Sequence, residues 1–151
     1  MVKSFKLLFL ICFFFNSISI GYAAIALSFG QKPSIVSLKN IDSFLKTHQR
    51  GNQSDYDIAE NDLNNDGLQE FVLRPKTCPS DPKPCQYMIL AENKNKIYIL
   101  GMISAYKLML SGTFSNGIQD FLAFQSDNND YEYERYIWSP TEARYILEKV
   151  Q

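Results

Sequence analysis

The sequence predicts an α+β domain: one N-terminal helix followed by an antiparallel β-meander sheet. Three observations carry that reading. An apolar stripe with helical spacing occurs once, early in the chain. After Gly51 the chain turns to short runs rich in Tyr, Ile, Val and Phe, broken by Asn, Asp, Gly and Pro. No segment repeats and no linker divides the chain, so its 151 residues make about one domain, and a propeller is excluded.

Residues 1–23 are expected to be a secretory signal peptide rather than part of that fold. Lys3 and Lys6 form a positive start, Leu7 to Phe15 is an unbroken apolar run, and Gly21-Tyr22-Ala23 fits the small-x-small cleavage rule. Asn16, Ser17 and Ser19 interrupt the run, so the roughly 20 apolar residues of a membrane span are missing. Cys12 is preceded by Ile11, which argues against a lipid anchor. The domain proper is then 24–151, secreted or periplasmic, with no stable membrane span after cleavage. Losing Lys3 and Lys6 from 15 basic residues leaves 13 against 16 acidic ones, a net charge of −3. That balance excludes the basic excess of a nucleic-acid binder. A chain of this size buries around two-thirds of its unfolded surface, enough for a real core.

The helix is expected near 37–49. Leu38, Ile41, Phe44 and Leu45 fall on one face, Ser37 serves as N-cap, and Gly51 stands just past the end. His48, the one histidine, sits in the last turn, where a cation suits the helix dipole. Strands are expected at 55–59, 70–74, 86–92, 96–103, 106–110, 118–125, 131–138 and 144–150. Asn93-Lys94-Asn95, Asp127-Asn128-Asn129-Asp130 and Ser139-Pro140-Thr141 supply turns between them. Along 131–138 the aromatic phase breaks. Tyr131 and Tyr133 share one face and Tyr136 and Trp138 the other, unless a bulge near Glu134-Arg135 realigns them.

With Cys12 gone, Cys78 and Cys85 remain as a pair, and an even pair in an exported protein implies one disulfide. Between them Pro79, Pro82 and Pro84 stiffen a short loop. No His or third Cys lies nearby, and the spacing is not that of a zinc site.

The chemistry-bearing stretch is Asp62-Leu63-Asn64-Asn65-Asp66-Gly67-Leu68-Gln69-Glu70. Oxygen-bearing side chains stand at its positions 1, 3, 5 and 9, with glycine at position 6. A hard dication wants about six to eight oxygens, and alternate residues of a tight coil converge on one point. Asp62, Asn64, Asp66 and Glu70 supply side-chain oxygens, and Leu68 offers its carbonyl once Gly67 has turned the chain. A hairpin turn would need Asn65-Asp66-Gly67 alone, not acids at 62, 66 and 70 together. Calcium fits better than magnesium, which prefers to keep its waters. The loop is no full EF-hand, because the twelfth position is Leu73 and no helix pattern follows.

This loop resembles the Asp-x-Asp-x-Asp-Gly-x-x-Asp calcium loops of the FG-GAP and VCBS families, which lie between two β-strands. Asn64 replaces the middle acid and Glu70 the last one, so both positions keep an oxygen. The likeness implies a calcium loop between two strands of the meander sheet. The wider layout, a loop, an apolar strand and a Cys-loop-Cys segment, looks like a group of small exported bacterial proteins. That likeness implies location and layout rather than activity.

No Gly-x-Ser-x-Gly, phosphate loop or His-Glu-x-x-His motif occurs. Asp127 to Asp130 lacks a suitably placed glycine and is expected to be a solvated turn. Glu132 and Glu134 alternate along one strand and are expected to be solvent-facing acids rather than a substrate-flanking pair, and Asp57 is expected to face solvent rather than lend the loop an outer oxygen. Tyr131, Tyr133, Tyr136 and Trp138 are either a partner-binding surface or core. The expected function is a secreted, calcium-binding, disulfide-stabilised domain that is not an enzyme and binds a protein or another surface. The alternative is a periplasmic inhibitor or immunity-type protein blocking a hydrolase, followed by a weak hydrolase using an acid near the metal.

Overall fold

A computed structural model describes residues 23–78, 83–126 and 132–148. They form one α-helix, α1 (Ile35–Thr47), and nine strands: β1 (Ala24–Ala26), β2 (Tyr56–Asn61), β3 (Glu70–Pro75), β4 (Cys85–Asn93), β5 (Lys96–Ala105), β6 (Lys107–Ser115), β7 (Ile118–Phe124), β8 (Tyr133–Ser139) and β9 (Arg144–Leu147). Every strand pairing is antiparallel. The β-rich, one-helix reading holds. The single sheet does not: β2-β3-β4-β5 form one sheet and β1-β6-β7-β8-β9 another.

The two sheets arise because the meander breaks between Ala105 and Lys107, where β6 leaves β5 and pairs instead with β1 and β7. Folding the meander over itself lets both sheets bury an apolar face in one core. Val72, Tyr87, Ile89 and Ile103 from the first sheet meet Leu108, Leu110, Phe121 and Ala123 from the second. The alternate residues of the first sheet, Phe71, Leu73, Met88 and Leu90, pack under Ile41 and Leu45 of α1. Being covered on both faces explains why β3 and β4 read as continuous apolar runs rather than alternating ones. At the corner between the sheets, a Cβ on Gly101 would stand 3.0 Å from the Cβ of Tyr145, so the close approach of β5 and β9 requires glycine there.

Several local expectations are corrected. The helix starts earlier, at Ile35, and its N-cap is Ser34: the Ser37 amide donates to Ser34 Oγ at 3.0 Å. The apolar stripe is unchanged by that shift, so the spacing alone did not distinguish Ser37 from a cap three residues earlier. His48 caps the C-terminus, with its ring 4.2 Å from that of Phe44 and Nδ1 2.8 Å from the Phe44 carbonyl oxygen. Between β4 and β5 the turn narrows to two residues, Lys94 and Asn95, both at positive φ (49° and 61°). In β8 no bulge forms. Its register with β7 runs unbroken from Phe121↔Tyr136 to Phe124↔Tyr133, so the phase break stands. Cys78 and Cys85 are joined as expected, with Cα atoms 5.4 Å apart.

Candidate functional site

The loop from Asp62 to Gln69 joins β2 to β3, whose last bridge pairs Asn61 with Glu70. Its coil is organised by its own amides. The Asp62 carboxylate accepts from the Asp66 amide (3.1 Å) and the Gly67 amide (2.9 Å), one on each oxygen. Asn64 Oδ1 accepts from the Asp66 amide at 3.0 Å, and Asp66 Oδ1 accepts from the Leu68 amide at 2.7 Å. Asn64 Nδ2 donates to Asp66 Oδ2 at 3.0 Å. The sharp reversal puts Asn65 at φ 57° and Gly67 at φ 85°. Nothing lies within 4 Å of a Cβ built on Gly67, so that glycine is required for its backbone angle and not for space.

Glu70 closes the loop from the first position of β3 and is only 5% exposed. Its Oε2 accepts from the Leu63 amide at 2.8 Å. Burial pushes its carboxyl up to about 7 from an ordinary 4.5, and the charges of Asp66 and Asp62 push the same way. Leu63 is fully buried between the sheets, and its carbonyl accepts from the Gln119 amide at 2.7 Å. The Gln119 carbonyl in turn accepts from the Tyr145 hydroxyl at 2.8 Å. Burial, with the charges of Glu70 and Asp120, holds that phenol far above its usual range. The loop is thus bolted across the sandwich to β7 and β9.

For a calcium ion the donor chemistry fits: two carboxylates and one amide oxygen on one short coil and a third carboxylate at the start of β3, all hard oxygens. Each amide bond uses one lone pair of a carboxylate oxygen and orients the group without exhausting it. Among the described residues, however, no three His, Cys, Asp or Glu side chains already converge into a metal-holding group. Asp62, Asn64 and Asp66 are brought together, while Glu70 approaches from the buried side. Leu68 lies at the rim, 57% exposed.

The aromatic residues of β8 do not form one surface. Tyr136 and Trp138 pack against the inter-sheet core, Trp138 lying 5.8 Å from the Tyr145 ring. Tyr133 lies on the other face beside Phe124, 5.6 Å between centroids, and Tyr131 and the Asp127–Asp130 turn lie outside the described residues. Asp57 pairs with Arg74 at 3.0 Å, which removes it as an outer oxygen for the loop. Glu134 accepts from Gln125 Nε2 at 2.7 Å.

Sequence reasoning missed a polar cluster on the outer face of the second sheet. Asp120 is fully buried; its Oδ2 accepts from Arg135 Nη2 and from Thr113 Oγ1, both at 2.7 Å. Arg135 also donates to both Glu148 oxygens at 3.0 Å. The available signal was an acid inside the apolar run Ile118–Phe124. Compared with family models, curated proteins and solved structures, the chain matches none of them.

Proposed function

We propose that this is a small exported binding domain whose Asp62–Glu70 loop takes up a calcium ion. Glu70 carries the reading. It is a buried carboxylate set against two further acids, and no basic side chain among the described residues is paired with it. Burying such charge without a counter-charge is costly. A dication held by Asp62, Asn64, Asp66, the Leu68 carbonyl and Glu70 would relieve it. The ion would be structural, since the loop closes one end of the sandwich through Leu63. The signal-like leader and the Cys78–Cys85 bridge favour the exported compartment, where calcium is abundant. His48, the sole histidine, is engaged in closing α1, which favours a binder over a hydrolase.

Thermal melts of the processed protein in chelator and in ~10 mM calcium test the reading. With a dissociation constant of ~10⁻⁴–10⁻³ M, typical of extracellular modules, the ion adds roughly 1.4–2.7 kcal/mol and raises the melting temperature by several degrees. Superimposable melts would remove the cation from the proposal.

A further inference from the structure

The edge of the first sheet is open where it adjoins α1. The two-residue turn at Lys94 and Asn95, both at positive φ, makes Asn93 and Lys96 a hydrogen-bonded pair. In an antiparallel ladder such pairs alternate with non-hydrogen-bonded ones. Ala91↔Tyr98 is therefore bonded to β4, while Ile97 and Ile99 turn their N–H and C=O groups outward. β5 is the last strand of its sheet, and β9 packs against it at Gly101, two residues beyond Ile99. Tyr98 and Ile99 are 51% and 37% exposed. An open edge of this kind is a template for another strand.

Beside the edge runs a groove of about 310 Å³, walled by Phe44 and Thr47 of α1, by its cap His48, and by Lys96, Ile97 and Tyr98 of β5. Lys96 brings positive charge and no carboxylate lines the groove; Glu92, cross-strand from Ile97, is held by Asn40 Nδ2 at 2.6 Å. We propose that this edge and groove dock an extended peptide strand of a partner protein that carries an acidic side chain. The outward groups of Ile97 and Ile99 would pair with the peptide backbone. Alternate peptide side chains would enter the groove, where Lys96 meets the carboxylate. The inference rests on reading the domain as a binder and not on the cation.

A phage-displayed library of random ten-residue peptides, panned on processed protein purified after export, is the probe. Enriched peptides are titrated by fluorescence polarisation against wild type, Ile99→Pro, Ile99→Ala and Lys96→Glu, each checked for folding by near-UV circular dichroism. Pro at 99 deletes an outward N–H and leaves the β4 ladder intact, so it is tolerated on an edge. The expected result is a consensus of β-branched residues with Asp or Glu. Ile99→Pro and Lys96→Glu should each weaken binding by roughly three- to tenfold, and Ile99→Ala little. No enriched sequence, a basic consensus, or equal affinity for Ile99→Pro would overturn the proposal. So would a dimer, seen by sedimentation, that Ile99→Pro abolishes, because the occupant would then be a second copy of the chain. Running the titrations in chelator and in calcium separates the two readings. Peptide binding in both, without a calcium shift in the melt, condemns the loop alone; a calcium shift without peptide binding condemns the edge alone.

Discussion

Glu70→Gln is the perturbation that interrogates the loop most directly. In the folded chain the Glu70 carboxyl sits at about 7, against an ordinary 4.5, because it is buried and faces Asp66 and Asp62. The folded state therefore holds a proton that the unfolded chain releases. A raised carboxyl contributes its stability at low pH and loses it as pH rises, here between 4.5 and about 7. That displacement is worth at most about 3 kcal/mol, a large share of a small domain's total. Gln keeps an oxygen for the Leu63 amide but cannot titrate. The assay is urea unfolding at pH 5 and pH 8 in chelator. Wild type should lose about 2.5 kcal/mol more than Glu70→Gln over that interval. Calcium should reverse the trend in wild type, since it competes with the proton for the same oxygens and binds more tightly above pH 7. If both proteins follow parallel pH profiles in chelator, Glu70 is ordinarily solvated and the argument for a buried, unneutralised charge fails.

Two further perturbations test the frame around the loop. Leu63→Ala should cost about 2–5 kcal/mol in urea unfolding, the range for emptying a fully buried leucine site, and should weaken calcium binding as the loop loosens; unchanged stability would show that the loop is not anchored in the core. Asp120→Ala should cost about 3 kcal/mol, near the low end for breaking a buried pair because Arg135 keeps Glu148; a loss below about 1 kcal/mol in the same assay would make the ion pair redundant.

What the sequence disclosed, and what it hid, follows from the range of the physics involved. The runs Phe71-Val72-Leu73 and Tyr87 to Leu90 announce strands because any buried strand must be apolar there, whatever it packs against. The division into two sheets depends instead on which strand β6 meets, and nothing local in Lys107 to Ser115 encodes that choice. β1 is three residues of Ala-Ile-Ala, too short for a period, and exists only because β6 offers it an edge. Ser34 and Ser37 are equally good caps in isolation; their own hydrogen bond decides between them in favour of Ser34. In the loop, the 1-3-5 oxygens were legible because their convergence is a local geometric consequence of the coil. Leu63, between Asp62 and Asn64, reads as incidental until Gln119 and the core of both sheets close around it.

That placement of Leu63 bears on what an ion in the loop could control. Its amide and carbonyl link Glu70 on one side to Gln119 and Tyr145 on the other, so neutralising Glu70 acts on the joint between the sheets. Tyr145 of that joint packs on Gly101 of β5, whereas the open edge lies nearer the start of the strand, at Ile97 and Ile99, held by its pairing with β4 and by the packing of α1. A ligand-induced change reaches a second site only through an element with two arrangements, and Glu70–Leu73 of β3 and Tyr87–Leu90 of β4 are buried throughout, with no second arrangement in view. Calcium is therefore expected to raise the stability of the whole domain while leaving the affinity of the β5 edge for a peptide nearly unchanged.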